Sequence, residues 1–86
     1  MIDFSSKDFS GDVGEQKLRA IYDNLKQFSV KEIKGERAEC NRIVSRYDRL
    51  KKIGRMQLAH YFYCKDTIVI CNYLIDNGIF LQPRNV

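Results

Sequence analysis

Arg42, Arg46 and Arg49 stand at i, i+4 and i+7 of a segment with helical apolar spacing. A helix there carries three guanidinium groups in one stripe, turned away from Ile43, Val44, Tyr47 and Leu50. Guanidinium forks hold phosphate oxygens bidentately, so phosphate or nucleic-acid contact is the chemistry this stripe suits. The alternative is a solvated helix face partly paired with Glu36, Glu39 and Asp48. Charge distribution weighs between the two: residues 31–55 hold nine Lys or Arg against four acids, while residues 1–30 hold four against five and residues 56–86 two against two. The excess behind a net charge of +4 therefore lies in the middle of the chain, where it attracts nucleic acid, a small nucleotide or an acidic protein surface.

Other reactive groups are sparse. Cys40, Cys64 and Cys71 are odd in number and lack the close spacing of a zinc or redox pair, which predicts reduced, buried thiols. His60 is the single histidine, and no glycine-rich phosphate loop or nucleophile with a matched base is recognisable. The expectation is a protein with no catalytic residues, no metal and no cofactor, one that acts by binding.

The elements that must position these groups read as helices. Asp12 and Glu15 have capping-box spacing, and Leu18, Ile21, Tyr22, Leu25 and Phe28 follow at helical intervals, predicting a helix over 12–28. Ser29 with Glu32 is a second capping box, and Ile33, Cys40, Ile43, Val44, Tyr47 and Leu50 carry a second helix over 30–51. Gly35 predicts fraying or a kink near its start. Lys51 and Lys52 suit its C-terminus, with Gly54 as the left-handed residue that ends it. Residues 55–77 form a third helix closed by Asn77-Gly78-Ile79. An N-terminal arm (1–11) carries Ile2, Phe4 and Phe9 for packing or ligand stacking, and a tail (80–86) contains Pro83.

The third segment also fits a helix-turn-helix. In that reading Leu58-Ala59 opens the first helix, Tyr63–Asp66 is the turn, and Asp66 caps a recognition helix over Thr67–Ile75. Two features oppose it: the spacing from Leu58-Ala59 to Gly78 is short, and the recognition helix holds no Arg or Lys to meet DNA.

Ile53-Gly54-Arg55, followed by Leu58 and Phe62, resembles the Ile-Gly-Arg-x-x-Leu-x-x-x-Phe signature of the small bacteriophage anti-CBASS proteins that sequester cyclic oligonucleotides. Phe9 and Leu25-Lys26 stand where that family has an aromatic residue and an Ile-Lys pair, while Ala59-His60-Tyr61-Phe62-Tyr63 departs from its Gln-x-Gly-Phe-Met core. The resemblance implies a three-helix protein that assembles into an oligomer and withholds a signalling nucleotide from host effectors. Phe9, Lys26 and Arg55 would then be the ligand-binding residues, by stacking on a base and pairing with phosphate. Tyr61, Phe62, Tyr63 and Tyr73 would supply subunit contacts.

Together these readings predict one all-α domain over 1–86, a small bundle of three main helices that forms a homo-oligomer. The opening residues lack the layout of a secretion signal and no apolar stretch is long enough to span a bilayer, so a cytoplasmic location is expected, the host cytoplasm if phage-encoded. The leading function is a non-enzymatic anti-defence protein that binds a cyclic nucleotide. The alternatives are a helix-turn-helix DNA-binding regulator and a protein-directed inhibitor that docks its basic face on a host protein.

Overall fold

Ser29 ends one helix and starts the next. Its hydroxyl accepts the Glu32 N–H at 3.2 Å while the Glu32 carboxylate accepts the Ser29 N–H at 3.2 Å, closing the capping box its sequence predicts. This joint separates α1 (Glu15–Leu25) from α2 (Val30–Asp48), and α3 (Arg55–Asp76) follows, in a computed structural model that describes residues 2–82. The fold is the expected all-α bundle of three helices. Among the described residues there is no strand, only an isolated parallel bridge between Ser29 and Leu81, where the Leu81 N–H donates to the Phe28 carbonyl at 2.9 Å. Of the predicted tail, residues 83–86, with Pro83, lie outside the described residues.

Helix α3 packs against both α1 and α2. Its C-terminal half sends Ile70, Cys71 and Leu74 into a core shared with Leu18, Ile21 and Leu25 of α1 and Ile33 of α2. Full burial of one such aliphatic side chain contributes about 1.5–3 kcal/mol, so stability is concentrated in this half. The molecule is nevertheless 51 Å long and 25 by 17 Å across. Its other end is the α2–α3 tip, where Arg55 through His60 are all exposed.

The helix ends follow local chemistry. Gly78, at φ +65°, closes α3: its N–H donates to the Ile75 carbonyl, and the Ile79 N–H donates to the Leu74 carbonyl at 2.9 Å. The other three expectations about helix ends and breaks are corrected. Asp12 does not cap α1, which starts at Glu15 with Gly14 as N-cap and no side-chain cap, because Gly11 at φ +83° turns the chain just before. Gly35 neither frays nor kinks α2, which runs unbroken around it. Gly54 does not end α2; that helix stops at Asp48, and Gly54, in extended conformation, is the N-cap of α3. Leu50, Lys51 and Lys52 therefore lie in the connection rather than in the helix.

The helix-turn-helix reading is overturned by α3 itself. Residues Tyr63–Asp66 are helical, and there is no turn between Arg55 and Asp76. Asp66 caps nothing on α3: it is buried at mid-helix and accepts two hydrogen bonds from Ser10 of the N-terminal arm, from the backbone N–H and from the hydroxyl, each at 2.8 Å. Thus anchored, the arm buries Phe9 in the core and lays Ile2 and Phe4 against it. Phe4 also meets Tyr22 edge-on at 6.1 Å and lies under the Arg19 guanidinium.

Candidate functional site

The start of α3 forms one wall of a cleft. The Gly54 N–H is held by Gln57 Oε1 at 3.0 Å, which fixes the first turn. Arg55, Leu58, Ala59, Phe62 and Tyr63 then fall at helical spacing on one face. The entry to α1, from Asp12 to Lys17, forms the opposite wall, and the cleft between them has a volume of about 480 Å³. That is within the usual range for small-molecule sites, roughly 300–1,000 Å³.

Its chemistry is mixed. Val13, Leu58, Phe62 and Tyr63 give it an apolar and aromatic lining, and Lys17 and Arg55 set two cations against the single carboxylate of Asp12. Leu58 and Tyr63 stay about two-fifths exposed, at 41% and 42%, so their surfaces are free to meet a ligand. Burial, and then the nearby Cys40, push the Tyr63 phenol above its ordinary value. A cleft of this kind can hold a flat ring against its aromatic wall and an anionic group against its cations.

The chain matches no protein-family model, no curated protein and no solved structure.

The three residues expected to share one ligand are not brought together. Arg55 lines the cleft. Lys26 sits at the other end of α1, an 11-residue helix that spans about 16 Å. There its ammonium pairs with Asp23 at 3.1 Å and lies 5.5 Å from the Tyr22 ring centre. Phe9 is only 9% exposed, so the stacking role is corrected to a packing one: the arm chose the core because Ser10 is tied to Asp66. The cavity beside Phe9 is lined by Asp3, Asp8 and Asp76, a poor setting for phosphate.

The arginine stripe divides. Arg42 and Arg46 are exposed and line a groove of about 550 Å³ between α2 and α3, together with Glu39, Ile43, Tyr47, Leu50, Gln57 and His60. Arg42 is paired with Glu39. Arg49 is exposed at the C-cap of α2, outside the groove lining. Tyr47 and His60 join across it through the phenol oxygen and Nδ1 at 3.0 Å, with the rings edge to face.

The thiols are buried, as expected, on the α2–α3 seam. Desolvation pushes Cys40 up to about 12 and Cys71 up to about 11, and raises Cys64 as well. Such thiols are protonated and poor nucleophiles at neutral pH.

Sequence reasoning missed Lys17, Gln57 and His60 as lining residues. The i, i+3, i+7 spacing of Arg55, Leu58 and Phe62 was the available signal for one cleft wall; the opposing wall comes from α1, whose placement no local pattern specifies.

Proposed function

We propose that this protein is a non-enzymatic anti-defence factor of the phage type that binds and sequesters a cyclic nucleotide signal. One observation carries the reading: Arg55, Leu58 and Phe62, three of the five residues that match the anti-CBASS signature, line the same cleft. A sequestering protein needs an aromatic surface for a base, cations for phosphate and enclosure; it needs no group that activates water. Tyr63, Arg55 and Lys17 meet the first two needs. Enclosure would come from a second copy of the chain, since Leu58 and Tyr63 of the cleft wall are left exposed. Lys26 would join the ligand from such a copy.

The test is capture and return. The protein is mixed with a panel of cyclic di- and trinucleotides and filtered, and the free fraction is measured; bound material is then released by heat and compared with the input. Depletion of at least one nucleotide with recovery of intact ligand is expected, and Arg55→Ala weakens capture about tenfold or more, the usual effect of removing a charge-assisted contact. Linear products would make the protein an enzyme, and no capture across the panel would end the sequestration reading.

A further inference from the structure

The α2–α3 tip concentrates positive charge along one edge of the molecule. From Glu39 to Lys52 stand five cations, Arg42, Arg46, Arg49, Lys51 and Lys52, against two acids, Glu39 and Asp48, and Glu39 is paired with Arg42. Asp48 is also engaged, accepting the Tyr61 hydroxyl at 2.8 Å. The cations are strung along a line rather than gathered at a point: Arg42 to Arg49 covers about 10 Å of helix rise. A row of cations of that length matches successive backbone phosphates better than a single anion.

The groove beneath this row offers something to bases as well. Ile43, Tyr47 and Leu50 form an apolar floor, and Leu50 is 44% exposed, so its surface is open to a ligand. His60, on the facing helix, is held by Tyr47 at 3.0 Å. That contact occupies Nδ1 of His60 and leaves its Nε2 for a further hydrogen bond. Gln57 uses Oε1 on the Gly54 N–H, so its Nε2 is left to donate. Arg46 and the Glu39-paired Arg42 thus stand on one wall, with Gln57 and His60 on the other, and the floor between them can take an unstacked base.

We propose that the α2–α3 tip is a second binding site, independent of the cleft at Arg55, and that it takes a single strand of nucleic acid. Phosphates run along Arg42, Arg46 and Arg49, and a base rests on Tyr47 and Leu50 beside His60. A duplex would meet the same cations but keep its base faces stacked away from the floor, so the apolar lining favours a single strand.

The experiment is fluorescence anisotropy of a labelled oligothymidylate, titrated with the full chain at low salt, beside the same length as a duplex and a polyglutamate competitor. The single strand is expected to bind more tightly than the duplex, with a salt dependence that Arg46→Ala reduces by about 0.7 in log–log slope. Arg46→Ala should also weaken binding about tenfold or more, while Arg46→Lys recovers part of the loss by restoring the charge without the fork. Lys34→Ala, the same charge change on an exposed residue at the other end of α2, should have little effect. His60→Ala should weaken the single strand and leave the salt slope unchanged. Equal losses from Lys34→Ala and Arg46→Ala, equal affinity for the duplex, or equal competition by polyglutamate would each overturn the proposal, the last in favour of an acidic protein partner. Cyclic nucleotide capture by Arg46→Ala serves as the control, because that residue lies outside the Arg55 cleft.

Discussion

Ser10 and Asp66 join the N-terminal arm to the middle of α3: the buried carboxylate accepts the Ser10 N–H through Oδ1 and the Ser10 hydroxyl through Oδ2, each at 2.8 Å. Asp66 is 1% exposed, and these two bonds satisfy both its oxygens. Arm and helix are thereby one packing unit.

Removing that acceptor should release the arm. Asp66→Ala leaves the Ser10 N–H without its partner and is expected to cost about 1.5–3 kcal/mol, the range for a hydrogen-bonded charged group. Asp66→Asn keeps one acceptor oxygen and should lose less. Urea unfolding measures both, and hydrogen exchange at Phe9 and Ser10 should rise in step with the loss. Unchanged exchange there in Asp66→Ala would show that the arm is held by Phe9 alone.

Two glycines should respond in opposite senses to the same substitution. Gly78 has φ +65°, so Gly78→Ala places a side chain in a left-handed conformation and should destabilise by about 1 kcal/mol. Gly35 lies inside α2, and a Cβ there meets nothing within 4 Å. Gly35→Ala should stabilise by about 0.5–1 kcal/mol. Thermal unfolding of the two variants decides the matter, and a stabilising effect at Gly78 would contradict the closing turn described above.

Alkaline pH should weaken the fold. Burial holds Cys40 near 12 and Cys71 near 11, whereas an unfolded thiol ionises at about 8.5. Above that value the unfolded chain has lost protons the folded chain keeps, so fewer protons are bound in the unfolded state and stability falls as pH rises. The loss begins near pH 8.5 and continues toward the folded values, at up to about 1.4 kcal/mol per pH unit for each thiol. Urea midpoints between pH 7 and 10 test it. Cys71→Ala, whatever its own cost, should make the decline shallower.

Self-association bears on Lys26. Lys26 caps the C-terminal end of α1 while Arg55, on α3, lines the cleft at its N-terminal end, so a ligand held between two copies is the arrangement expected to bring both residues to it. Sedimentation should therefore show a species heavier than the 10.1 kDa chain wherever Lys26→Ala reduces nucleotide capture. A monomer in which Lys26→Ala and Arg55→Ala reduce capture equally would contradict this placement of the two residues.

The three helices, the Ser29–Glu32 cap, the Gly78 stop and the buried thiols were legible in the sequence because each rests on interactions within a few residues, or on an apolar period that one face of a helix repeats. The same reasoning set the end of α2 too late. Leu50 continues the period after the helix has stopped, since periodicity records side-chain type and not the point where the backbone must turn to bring α3 alongside. It misread Asp66 for a related reason: an acid beside Thr67 looks like a helix start, and only its contact with Ser10, 56 positions earlier, explains an acid inside α3.

What the sequence by itself determined is the all-α class, the number of helices and the concentration of charge between residues 31 and 55, all of which follow from local propensity, capping and composition. Tertiary structure alone decided that Phe9 belongs to the core, that Arg55 faces Lys17 across a cleft while Lys26 stands apart, and that Arg42 and Arg46 share a groove with His60. Those relationships join residues far apart in the chain. They depend on how α1 and α2 pack on α3, which is set by the summed burial of many side chains and by one buried carboxylate, and no short run of residues encodes them.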